Sequence, residues 1–108
     1  MEEFIRAGAL GEIPEGELRA FELPHTRVCI ANAGADVFVI GDECTHQGCS
    51  LSEDGILIDD EFVECVCHES RFDLATGEPV HGPAVDPLPT WQVRITDGWV
   101  EVGPPMDE

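Results

Sequence analysis

The chain contains no lysine: its five basic residues are all arginines, set against 23 acidic ones, for a net charge of -18 over 108 residues. So acidic a chain does not hold a phosphate backbone, which excludes nucleic-acid binding and makes a basic surface the natural complement. A solvated surface that serves solubility alone accounts for the same composition. No apolar run approaches the ~18 to 20 residues of a membrane span, and the acidic start Met1-Glu2-Glu3 is unlike an export signal. These absences predict a soluble, cytoplasmic protein without an anchor. Internal repeats, a long 3.6-residue period and a nucleophile-base pair are also missing, so neither a helical fold nor a substrate pocket is expected. A chain of this length suits one domain, here 1–103 with a disordered tail at 104–108. Burial at this size is marginal enough for a bound cofactor or a cross-link to matter.

The signals that are present are those of strands. Glu17–Leu23 alternates, Val37–Ile40 is a short apolar run, and Trp91–Ile95 alternates again. Asp97-Gly98 marks a tight hairpin into Trp99–Val102. Further strands are expected at Phe4–Ala7, His25–Ala31, Gly55–Ile58 and Phe62–Glu64, with turns at Gly34, Asp54-Gly55 and Thr76-Gly77. The pattern predicts an all-β domain of short antiparallel strands.

Two tracts carry the chemistry. Cys44-Thr45-His46 and Cys65-Val66-Cys67-His68 each hold a thiol and an imidazole, and the 18 residues between His46 and Cys65 suffice for a returning pair of strands. Each tract is then a loop tip, and the two can close on one metal centre. Thiolate favours zinc or an iron-sulfur cluster and imidazole favours zinc or iron, so donor type leaves both open. The usual zinc finger keeps its cysteines in one half and its histidines in the other; here each half contributes one of each, which suits a two-iron cluster better.

C-x-H followed by C-x-x-H resembles the Rieske family. The resemblance runs from about Asp42 to Trp91 and includes Arg71-Phe72-Asp73, Gly77 and the Gly82-Pro83-Ala84 turn. It implies Rieske-like antiparallel sheets packed as a sandwich, with a cluster-binding subdomain of two ligand loops at about 42–91. It also implies one [2Fe-2S] cluster, with Cys44 and Cys65 on the inner iron and His46 and His68 on the outer one, nearer solvent. In Rieske proteins of cytochrome bc complexes C-T-H-x-G-C and C-x-C-H carry a disulfide, and the match implies one between Cys49 and Cys67. Such a bond would contribute ~3 kcal/mol by restricting the unfolded chain. Cys29, in the apolar stretch Arg27–Ala31, is read as a core residue. His25 and His81 are read as surface residues, and Trp91 and Trp99 as core.

Two ferric ions, two sulfides and two thiolates carry no net charge, and neutral imidazoles add none. The electron therefore enters a neutral site, which raises the potential above that of all-cysteine clusters. Hydrogen bonds to the sulfurs then tune it, because a donor favours the more negative reduced state. By the resemblance Ser70 falls where bc-type proteins have a serine that donates to a sulfide, and Phe72 where they have a tyrosine that donates to a cysteine sulfur. With one donor of the two, an intermediate potential is expected.

The role this implies is that of a one-electron carrier rather than an enzyme. The functional analogue is the Rieske-type ferredoxin that passes electrons from a flavin-dependent NAD(P)H reductase to a terminal aromatic-ring-hydroxylating oxygenase. The expected carrier is a monomer that docks around His46 and His68, with Pro83 and Gln47–Leu51 on the rim. The alternatives are a high-potential Rieske carrier, the small subunit of a larger oxidoreductase such as a nitrite reductase, and a zinc-stabilised interaction module.

Overall fold

The computed structural model describes residues 4–24, 26–43, 49–67, 69–82 and 86–106. Within them the chain folds as two antiparallel sheets. The larger contains β1 (Ile5–Ala9), β2 (Leu18–Glu22), β3 (Arg27–Asn32), β4 (Val37–Gly41), β9 (Thr90–Thr96) and β10 (Trp99–Pro105), in the order β1-β10-β9-β4-β3-β2. The smaller, β5 (Gly55–Ile58), β6 (Phe62–Cys65), β7 (Ser70–Asp73) and β8 (Pro79–His81), pairs in sequence order and is inserted between β4 and β9. One helical turn, α1 (Leu51–Asp54), leads into it.

Alternation along the strands explains the layering. Val28 and Ile30 of β3 face one core, with Val39, Trp91, Val100 and Val102; Cys29 and Ala31 face the other, with Ile40, Leu51, Val63, Cys65, Phe72, Leu74 and Leu88. A strand covered on both faces reads as a continuous apolar run, which is what Val28–Ala31 is. The larger sheet curls until β2 returns against β1, where the Phe21 ring lies on Gly8 and leaves no room for a side chain at that position. The smaller sheet and α1 close the second core, so Cys65, at the end of β6, is held from beneath by packed side chains.

Turn chemistry follows the sequence closely. Asp97 and Gly98 both have positive φ (52° and 81°), the conformation of a two-residue hairpin loop, and Thr96 pairs with Trp99 across it. The β3–β4 turn closes through Ala33 N–H to the Asp36 carbonyl (2.9 Å), with Gly34 at φ 88°. Asp54-Gly55 is the end of α1 rather than an independent turn.

Three expectations fail. β7 and β8 went unread: four and three residues long, they show too little alternation to detect, and β8 opens on Pro79, which is tolerated at a strand start or on an edge. The tail is not disordered from residue 104: β10 continues to Pro105, which pairs with Trp91, and Met106 N–H donates to the Thr90 carbonyl (2.9 Å). Residues 107 and 108 lie outside the described residues. Trp99 is not a core residue; it is 37% exposed, with the Arg6 guanidinium 4.6 Å from its ring centroid.

Candidate metal centre

β4 ends at Gly41, shortly before the first tract in the sequence. Glu43 and Ser50 form an isolated antiparallel bridge, and the Asp42 carbonyl accepts a hydrogen bond from Leu51 N–H (2.6 Å), so the chain on the two sides of the first tract is drawn together. The buried Asp42 carboxylate reinforces that closure. Oδ1 accepts from Ser52 N–H (2.8 Å), Oδ2 accepts from the Ser50 hydroxyl (2.8 Å), and Arg27 Nε lies 3.1 Å from Oδ2. The sequence reading missed this clamp, whose one signal is the polar set Asp42, Ser50 and Ser52 around the first tract.

The second tract is the tip of the β6–β7 hairpin. Cys65 pairs with Ser70 across its mouth, Glu69 N–H donates to the Cys65 carbonyl (2.7 Å), and Glu69 takes φ 64° to turn the chain. Val66 N–H donates to the Asp54 carbonyl (2.9 Å), which ties this tip to the segment that follows the first.

A Cys49–Cys67 disulfide joins the two loops, as the resemblance implies. The sulfurs of Cys49, Cys65 and Cys67 lie within 4.8 Å of one another. Two of these three are consumed by the disulfide and cannot act as thiolate ligands, which leaves Cys65 as the donor of the group. Cys65 is fully buried, at the edge of the core that holds Phe72 and Leu51. Ser70 and Phe72 are also fully buried. Cys44, His46 and His68, with Gln47, Pro83, Ala84 and His25, lie outside the described residues. His81 is exposed on β8 opposite Arg71, as a surface residue should be. The Cys29 thiol is buried in the core; burial pushes its pKa far up, the Asp42 carboxylate adds to that, and Arg27 opposes it, so it stays protonated and inert.

Comparison with known proteins decides the family. Residues 3–92 match the model of the Rieske [2Fe-2S] domain. The chain belongs to that family. It is 37% identical over 94 residues to the 3-phenylpropionate/cinnamic acid dioxygenase ferredoxin subunit of Escherichia coli (strain K12), covering 87% of each protein. It is similar in structure to a ferredoxin of Sphingomonas yanoikuyae B1 (TM-score 0.84, 31% identity, covering 93% of this chain and 97% of that one). A third likeness is to a chain in the complex of reduced oxygenase and oxidized ferredoxin of carbazole 1,9a-dioxygenase (TM-score 0.85, 28% identity, 97% of each chain). The all-β Rieske fold expected from the sequence is therefore present, and with it the family's single [2Fe-2S] cluster as cofactor.

The residues at this Rieske site fit such a group. Cys65 presents a soft donor from a packed wall, and the disulfide removes the two neighbouring thiols from competition. An apolar groove between β4, β9 and Met106 has no titratable side chain in its lining.

Proposed function

We propose that this protein is the ferredoxin component of an oxygenase system, carrying single electrons from a flavin-dependent NAD(P)H reductase to a terminal oxygenase. The observation that supports it most is the alignment of the chain, 37% identical over 87% of each protein, with a dioxygenase ferredoxin subunit. In this reading Cys44 and Cys65 hold the inner iron, and His46 and His68 hold the outer one. The cluster, when bound, accepts and returns one electron. Cys65 is buried, and in this reading the histidine side would face solvent, where both partners would dock in turn. Val66, 49% exposed between Cys65 and Cys67, offers an apolar spot at that end, with the exposed carboxylates of Glu43 and Glu69 nearby in sequence. A partner with an apolar recess and basic surroundings would fit. Among the described residues no helix is long and apolar enough to cross a membrane, and the proposed compartment is the cytoplasm, where NAD(P)H is generated.

The test is the electron spin resonance spectrum of the dithionite-reduced protein, together with that of His68→Cys. The parent should give a rhombic signal, and exchanging a neutral imidazole for a thiolate should lower the potential sharply or abolish that signal. An unchanged signal in the variant would refute the ligand assignment, and a colourless protein containing zinc would refute the cluster. A high-potential carrier is the second reading, favoured by the disulfide and the buried Ser70.

A further inference from the structure

Twenty-three acidic residues could all have been left in water, yet Asp42 is only 5% exposed; among the described residues Glu101 alone is comparably buried. A buried carboxylate is costly unless its oxygens are matched by donors, and those of Asp42 are. The donors come from the segment after the first tract and from β3. Ser50 and Ser52 stand on the far side of residues 44–49, while Arg27 stands on β3 and also lies 3.6 Å from Glu22. Ser50 Oγ is 3.0 Å from Ser52 Oγ, which holds the two serines in register. Beyond them, Leu51 packs in the same core as Cys65, and the Asp54 carbonyl accepts from Val66. A continuous set of contacts thus runs from the larger sheet through Asp42 to the segment after the first tract and on to Val66 in the second.

We infer that Asp42 is a positioning residue for the first tract: its buried carboxylate fixes the approach of Glu43 to Ser50, and so holds the two ends of the segment that carries the proposed ligands Cys44 and His46. This rests on the ligand assignment proposed above. An apolar side chain could fill the same space, but it could not hold two flanks of a loop in a set direction, because only directional bonds do that. Asparagine would keep an oxygen for Ser52 N–H and could donate to Ser50, giving up Arg27, which still has Glu22 within reach. Alanine would leave Ser50, Ser52 and Arg27 without their common acceptor.

The experiment compares parent, Asp42→Ala and Asp42→Asn as cluster-loaded proteins. The readouts are the electron spin resonance line shape after reduction, the rate at which the visible band bleaches in chelator, and amide hydrogen exchange at Ser52. Asp42→Ala should lose its cluster about tenfold faster, the equivalent of one charge-assisted hydrogen bond, with a shifted rhombic spectrum and reduced Ser52 protection. Asp42→Asn should restore the spectrum and most of the lifetime. An Asp42→Ala protein with the parent's spectrum, lifetime and exchange overturns the inference. If that variant does not fold, Ser50→Ala removes one bond to the carboxylate and leaves Arg27 in place. It should also bleach faster with a shifted spectrum, and identity with the parent overturns the inference equally. A parent without a rhombic signal would defeat the ligand assignment and this inference with it, whereas a normal parent beside an unaltered Asp42→Ala defeats the inference alone.

Discussion

Phe72 lies fully buried beside Val63 in the core that also holds Cys65, and the chain has no tyrosine anywhere, so no phenol can donate to a cluster sulfur. Adding the hydroxyl with Phe72→Tyr should raise the reduction potential. A hydrogen bond that favours the reduced form by ~1 kcal/mol corresponds to ~40 mV for one electron. Voltammetry on the variant checks this, and no shift would mean that the ring points away from the sulfur. Glu101 poses a different residue-scale question. Its carboxylate accepts from Arg94 Nε (2.6 Å), and that bond, reinforced by the charges of Arg94 and Arg6 and by Thr96, outweighs burial and lowers its pKa. The folded state thus binds this proton less readily than the unfolded chain does. The resulting stabilisation is present above the ordinary glutamate range and is lost as pH falls through the lowered value. Thermal melting from pH 7 down to pH 3 should therefore show a steeper loss of stability in the parent than in Glu101→Gln.

At the scale of elements, glycines at matching φ separate two costs. Gly98 (φ 81°) has open space around a would-be side chain, whereas at Gly77 (φ 80°) the Leu88 carbonyl occupies that space. Gly98→Ala should cost about 1 kcal/mol, the price of a left-handed residue, and Gly77→Ala clearly more, because backbone must also move. Urea unfolding of the two variants measures the difference. Gly77 is held in that turn by Asp73, whose carboxylate accepts from the Ala75 and Thr76 amides and whose carbonyl accepts from Gly77 N–H (2.7 Å). This gives Arg71-Phe72-Asp73 and Gly77 a physical reason to occur together. The same scale shows what was legible in the chain. Hairpins signalled by local chemistry, such as Asp97-Gly98, and strands of four to seven alternating or apolar residues could be read directly, as could the paired tracts. β7 and β8 could not, because four and three residues carry too little alternation, and the clamp at Asp42 could not, because it depends on Arg27 and Ser52, 15 and 10 positions away. Trp99 misled for a related reason. Its ring is large enough to suggest core, but β10 turns it outward, where Arg6 covers it.

Over the whole molecule, every arginine is already matched: Arg6 and Arg94 to Glu101, Arg19 to Glu17, Arg27 to Asp42 and Glu22, and Arg71 to Glu64. The scarce positive charge is thus spent inside the structure, and the acidic excess remains for solvent or for a basic partner. Salt screens most of that excess at a distance, so under the proposed ligand assignment the near environment would govern the potential: histidine ligation, Ser70, and the missing phenol at position 72. The most direct test of the electron-carrier account is the reduction potential of the purified protein by direct voltammetry from pH 6 to 10, with the visible spectrum recorded on the same sample. The account predicts a Rieske spectrum and a couple near or below about -100 mV that falls with pH at the alkaline end, as histidine ligands require. A couple well above zero would contradict an NAD(P)H-fed ferredoxin and favour the high-potential carrier, and a pH-independent couple far below that range would contradict histidine ligation itself.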